Sequence, residues 1–143
     1  MKVLFDTSVI IAAIIESHPF HAKALPWLIK SKAQTIEAIV ASHTLAELYS
    51  VLTSLPVKPR VSSAAAQQLI HDNVISVATV VTLTASEYML VIKQLAMQEL
   101  IGGVVYDALI AQVAIKAKAQ KILTLNVKDF KRVYPESDII SLP

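Results

Sequence analysis

Short apolar runs alternate with helical segments along this chain, and that alternation admits few folds. The runs are residues 2–5, 35–41, 74–83 and 122–125, with a weaker one at 138–142. Helical patterns fill the spaces between them, at 9–15, 20–31, 44–55, 63–73, 84–100 and 107–119. In residues 44–55 the positions Leu45, Leu48, Tyr49 and Leu52 repeat as one helical face. Residues 74–83 are β-branched and read as a strand. Gly102-Gly103 is expected to end the helix before it. Strands separated by helices build a parallel sheet with helices on both faces. At 143 residues the chain, 1–143, is expected to be a single domain with a sizeable core.

Polar residues able to bind a cation stand where apolar runs give way to helices or turns. Asp6 follows Met1-Lys-Val-Leu-Phe5, and Glu47 follows the run ending at Ala41. Asp107 opens Tyr106-Asp-Ala-Leu-Ile-Ala111, and Asn126 follows Ile122-Leu-Thr-Leu125, with Asp129 three residues on. Parallel α/β sheets bind ligands outside the carboxyl ends of their strands. Carboxylates gathered there repel one another unless a cation holds them, which points to a divalent metal and phosphate chemistry. Thr7 and Ser8 add hydroxyl oxygens of the kind hard cations accept.

Each acid also has a plainer explanation. Asp6 and Asp107 are good helix N-caps. Thr44-Leu-Ala-Glu47 matches a capping box, as does Thr84-Ala-Ser-Glu87, where the cap is accepted outright. On a helical wheel Glu47 faces away from the leucine stripe, toward solvent. Asp107 points roughly 160° from the polar wedge of Gln112 and Lys116. A carboxylate opposite the wet face of a mostly buried helix needs a partner. Asn126 and Asp129 divide between site and turn roles.

Other chemistries find no footing. Without cysteine there are no disulfides, thiolate metal sites or thiol catalysis, which fits a cytoplasmic protein. His18 and His21 flank Pro19, while His43 and His71 stand alone, so no zinc set is evident. Gly102 and Gly103 cannot build a phosphate-cradling glycine loop, and no G-x-S-x-G is present. The apolar run 9–15 is too short to cross a bilayer, and Asp6 stands where a signal peptide carries positive charge, so no membrane association is expected. Net charge is only +2, yet Lys116, Lys118, Lys121, Lys128, Lys131 and Arg132 crowd one stretch against Asp129 alone. Such a stretch is either a solvated surface or a track for phosphates.

Taken in order, the motifs resemble those of the PIN domain family of metal-dependent ribonucleases. They are Asp6-Thr-Ser8, Ala46-Glu-Leu48, Tyr106-Asp-Ala-Leu-Ile-Ala111 and Thr124-x-Asn-x-x-Asp-Phe130. The resemblance is narrower still to VapC-type toxins of toxin–antitoxin pairs, and it spans essentially the whole chain. It implies a three-layer α/β/α sandwich around a central parallel sheet. It implies Asp6, Glu47 and Asp107 as catalytic acids holding Mg²⁺ or Mn²⁺, directly or through water. RNA is then the substrate, with Thr7, Ser8, Lys116, Lys118, Lys128, Lys131 and Arg132 as candidate contacts. The resemblance also implies a homodimer, and an antitoxin whose C-terminal segment blocks the site. Many members have aspartate at the position of Asn126. Either Asn126 supplies an amide oxygen, or Asp129 takes the acidic role, or only one metal binds well. Rival expectations are a phosphatase or receiver on a similar sheet, an RNA-processing nuclease without antitoxin, and a non-catalytic binding module.

Overall fold

The computed structural model describes residues 1–134 and 138–143. Its centre is a parallel sheet of β1 (Lys2–Phe5), β2 (Glu37–Ala41), β3 (Thr79–Val81), β4 (Lys121–Leu123) and β5 (Ile140–Ser141). The strand order is β3-β2-β1-β4-β5. Helices α1 (Thr7–Ile14), α2 (His21–Lys32), α3 (Ser42–Ser54) and α4 (Ser63–Ile70) cover one face. Helices α5 (Ala85–Met97), α6 (Val104–Ala117) and α7 (Val127–Val133) cover the other. The expected three-layer α/β/α sandwich is therefore the observed fold.

The alternation of strand side chains explains the layering. Val3, Phe5, Ala38, Val40 and Leu123 face the α1–α4 side, packing on Val9, Leu48 and Leu52. Leu4, Ile39 and Ile122 face the other side, packing on Leu109, Ile110, Val113 and Phe130. Strands buried on both faces read as continuous apolar runs, which is why β1 and β4 are plain in the sequence.

Strand order reverses at β1. The chain steps outward from β1 through β2 to β3, then returns to place β4 on the opposite side of β1. The β1/β4 junction is thus the switch point, where two adjacent loops leave the sheet in opposite directions and open a crevice. Asp6 follows β1 there, and Asn126 opens α7 shortly after β4.

Some sequence expectations are corrected. The strand expected over 74–83 shrinks to Thr79–Val81, because His71–Ile75 continues α4 as a π-helical turn. Ala66, Ile70 and Val74 lie four apart, and Val74 is buried as the last residue of that helical face. Gly102-Gly103 does not end α5. That helix stops at Met97, Glu99 takes the left-handed turn at φ 54°, and Gly102 (φ 75°) and Gly103 lead into α6. Helix α6 consequently starts at Val104, ahead of Asp107.

Candidate active site

The plain capping explanation fails at all three leading acids. Asp6 occupies the N-cap position of α1, but its side chain makes no cap bond. Its Oδ2 instead accepts from Ser8 Oγ and Thr124 Oγ1, each at 2.8 Å. Asp107 lies inside the first turn of α6, whose N-cap is Gly103. Glu47 lies past the first turn of α3, which begins at Ser42, and buried Thr44 does not cap it. At Thr84 and Glu87 the capping box does form, as expected.

Asp6 is the fixed point of the site. It is 5% exposed, and its backbone N–H donates to Leu123 O at 3.0 Å, extending the β1–β4 ladder. Thr124, fully buried, donates its hydroxyl to Asp6 and accepts the N–H of Asn126 at 2.9 Å. Ser8 closes the other side by accepting the N–H of Leu125 at 3.0 Å. The β1–α1 and β4–α7 loops are thereby clasped together. Both hydroxyls reach Oδ2; among the described residues no donor reaches Oδ1.

Glu47 and Asp107 reach the same groove from α3 and α6. It has a volume of about 260 Å³ and is lined by Asp6, Ser8, Glu47, Tyr106, Asp107 and Asn126, with Thr7, His18 and Ile110 also facing it. A larger groove of about 670 Å³ lies between α3 and α4, but its lining holds no acid. The three leading acids therefore gather at the smaller one.

The electrostatics of this groove are strained. Burial pushes the Asp107 carboxyl up to about 6, and the charges of Asp6, Asp129 and Glu47 add to the shift against the pull of Arg132. Burial also raises Glu47; His43 opposes that rise and Asp6 adds to it. His43 Nε2 stands 2.6 Å from Glu47 Oε1, and Thr7 also approaches that carboxylate. Yet Thr7 Oγ1, His43 Nε2 and Glu47 Oε1 are buried without an aligned hydrogen bond among the described residues. Asp6, Glu47 and Asp129 thus each raise the Asp107 carboxyl, and Asp6 also raises Glu47. Among the described residues no three His, Asp or Glu side chains are drawn together closely enough to hold an ion directly.

A family model for the PIN domain matches residues 3–135. The chain belongs to the PIN domain family. Ribonuclease VapC27 of Mycobacterium tuberculosis is 34% identical over 115 residues, covering 80% of this chain and 78% of the relative. Ribonuclease VapC40 of the same organism is 30% identical over 139 residues, covering 95% and 97%. The crystal structure of VapBC2 from Rickettsia felis, bound to a promoter DNA fragment, aligns with TM-score 0.65 at 23% identity, covering 99% and 98%.

In this PIN domain the basic stretch is split by the fold. Lys128, Lys131 and Arg132 lie on α7, which starts at Asn126 beside the acids. Lys116 and Lys118 lie at the far end of α6, about 15 Å along its axis from Asp107. Lys116 is already engaged, donating to Glu87 at 2.7 Å and to Thr82 O at 2.8 Å. Sequence reasoning passed over three residues. Thr124 is the clasp between the loops. His43 contacts Glu47, a pairing the i, i+4 spacing on α3 already allowed. His18 faces the groove and accepts the Phe20 N–H on Nδ1. His21 is structural, its Nδ1 lying 2.9 Å from Ala12 O.

Proposed function

We propose that this protein is an endoribonuclease dependent on Mg²⁺ or Mn²⁺, acting as the toxin of a toxin–antitoxin pair. One observation carries the reading: Asp6, Glu47 and Asp107 line one groove at the switch point of the sheet, where burial raises the carboxyls of Glu47 and Asp107. Its kinship with proteins named ribonucleases supports it.

Asp6, Glu47 and Asp107 would hold the ion, in part through water. In this reading Asn126, which lines the groove, or Asp129, which acts on Asp107 from α7, would complete the set. When bound, the ion supplies a water of lowered pKa and neutralises phosphate charge. The protein's own share is positional. The Thr124–Asp6–Ser8 clasp fixes one carboxylate against the sheet, with Oδ1 turned free of donors. Thr7 and Ser8 line the groove wall, where a phosphate would be held. Cleavage by water leaves a 5′-phosphate and a 3′-hydroxyl. The alternative route through the 2′-hydroxyl takes a paired acid and base, and His18 is the only histidine among the described residues to line this groove.

The reading predicts Mn²⁺ binding that depends on the acids. Titration calorimetry should show binding by the wild type that weakens at least ~100-fold in Asp107→Ala, since even outer partners of metal ligands contribute 10–100-fold. Absence of Mn²⁺ binding by the wild type at millimolar concentration would contradict it.

RNA would lie along α7. Charge reversal at Lys128 and Arg132 should weaken RNA binding and lower its salt slope by about one per lost phosphate contact. Lys116→Glu should leave that slope unchanged, because Lys116 is tied to Glu87. A slope unaltered by the α7 reversals would return those residues to ordinary surface. The antitoxin and homodimer belong to the same proposal. The exposed side chains Met89, Ile92, Met97 and Ile101 on and after α5 offer an apolar face to a second copy. Among the described residues no helix is long and apolar enough to cross a membrane.

A further inference from the structure

Tyr106 immediately precedes Asp107 on α6 and lines the same groove. It is 54% exposed, so its ring is not there to fill the core. One face of that ring stacks on His43, with centroids 5.4 Å apart and planes 11° from parallel. His43 is itself largely covered, and its Nε2 edge abuts Glu47. The two rings therefore form a short column whose base is fixed beside one acid and whose open end stands next to another. Nothing in the fold needs this arrangement. Tyr106 belongs to neither core cluster, and its hydroxyl makes no hydrogen bond among the described residues.

We infer that the Tyr106–His43 stack is a nucleobase platform, on which one base of the substrate stacks against the open face of Tyr106. This rests on the endoribonuclease reading and deepens it. Aromatic faces accept any base, and recognition of single-stranded RNA uses splayed, unstacked bases in this way. Tyr106 and Asp107 are consecutive, so the stacked base belongs to a nucleotide at or next to the phosphate held by the acids. His43 removes the ring's freedom in advance, so less ordering remains to be done on binding. Duplex RNA, with its bases stacked on one another, cannot use the platform. The site is therefore selective for a loop or single strand, and tolerant of which base it stacks.

The test pairs Tyr106 with individual bases of a single-stranded oligoribonucleotide that the wild type cleaves in Mn²⁺. Tyr106→Ala should lower kcat/KM about 10-fold, and Tyr106→Phe should stay within about twofold, because only the ring is needed. Removing one base next to the cleaved bond should cost the wild type a similar factor and cost Tyr106→Ala nothing further. A 2-aminopurine at that position should be quenched by wild type in EDTA and not by Tyr106→Ala. Tyr106 is exposed, so both variants keep the wild-type melting temperature. Cleavage by Tyr106→Ala at the wild-type rate, or base-removal costs equal in both proteins, would overturn the platform alone. A wild type that cleaves no RNA but quenches 2-aminopurine through Tyr106 would keep the platform and remove the nuclease.

Discussion

Asp107→Asn is expected to reduce RNA cleavage by at least ~100-fold while making the metal-free protein more stable. The two effects have one cause. Burial raises the Asp107 carboxyl to about 6, with Asp6, Asp129 and Glu47 adding to the shift. The ionised group is a cost to the empty fold, and an amide of the same shape removes it. Because the side chain is only partly buried, solvent screens the effect, and the gain is on the order of 1 kcal/mol. Its pH dependence has a definite sign. The folded state binds this proton more tightly than the unfolded chain, where the carboxyl has its ordinary value of 3.8. Stability of the metal-free protein therefore falls as pH rises from about 4 to about 6, and the cost is fully present above that window. Glu47, also raised, tilts the curve the same way. Only the ionised groups ligate a cation, so metal affinity should rise through the same window. Urea unfolding in EDTA at several pH values checks this. A less stable Asp107→Asn at neutral pH, or one that still cleaves, would contradict it.

Phe130→Ala should cost ~3–5 kcal/mol of stability, the range for emptying a large buried aromatic site. Phe130 is 0% exposed and packs with Leu109, Ile110 and Ile140 between α6 and the sheet. It is the only buried residue of the short helix α7. That helix has no side-chain cap and is too short to hold itself together, so this ring, with partly buried Val127 and Val133 beside it, anchors it. Asn126, Lys128, Asp129 and Arg132 depend on the anchor for their place beside the acids. Against a total stability of ~5–15 kcal/mol, such a loss is a large share. Denaturant unfolding should show it, with Phe130→Leu retaining most of the wild-type value. A loss under about 1 kcal/mol would mean that α7 is held by something other than this ring.

What the sequence disclosed and what it hid have physical causes. Strands β1 and β4 were legible because both their faces are buried, leaving continuous apolar runs. The β3 region was misjudged because a β-branched run suits the last turn of a helix as well as a strand when one residue in four must be buried, as Val74 is. The acids were visible as residue types, and as one site only through the order of their motifs. Singly, each satisfied a local capping pattern, and only strand order brings Asp6, Glu47 and Asp107 to one groove. The basic stretch misled in the opposite way. Its members are close in sequence, but α6 carries Lys116 and Lys118 to the far edge of the sheet while α7 keeps Lys128 and Arg132 near the acids. Thr124 was legible only as the first residue of a motif; its role as a clasp was not, since a buried hydroxyl between two loops has no periodicity to betray it.

The most direct test of the metal-dependent reading is cleavage of a single-stranded RNA by purified wild-type protein in Mn²⁺ and in excess EDTA, with the product ends identified. The expected result is cleavage in Mn²⁺ that leaves 5′-phosphate and 3′-hydroxyl ends, is abolished by EDTA and returns when Mn²⁺ is restored. Undiminished cleavage in EDTA, or cyclic-phosphate ends, would contradict it.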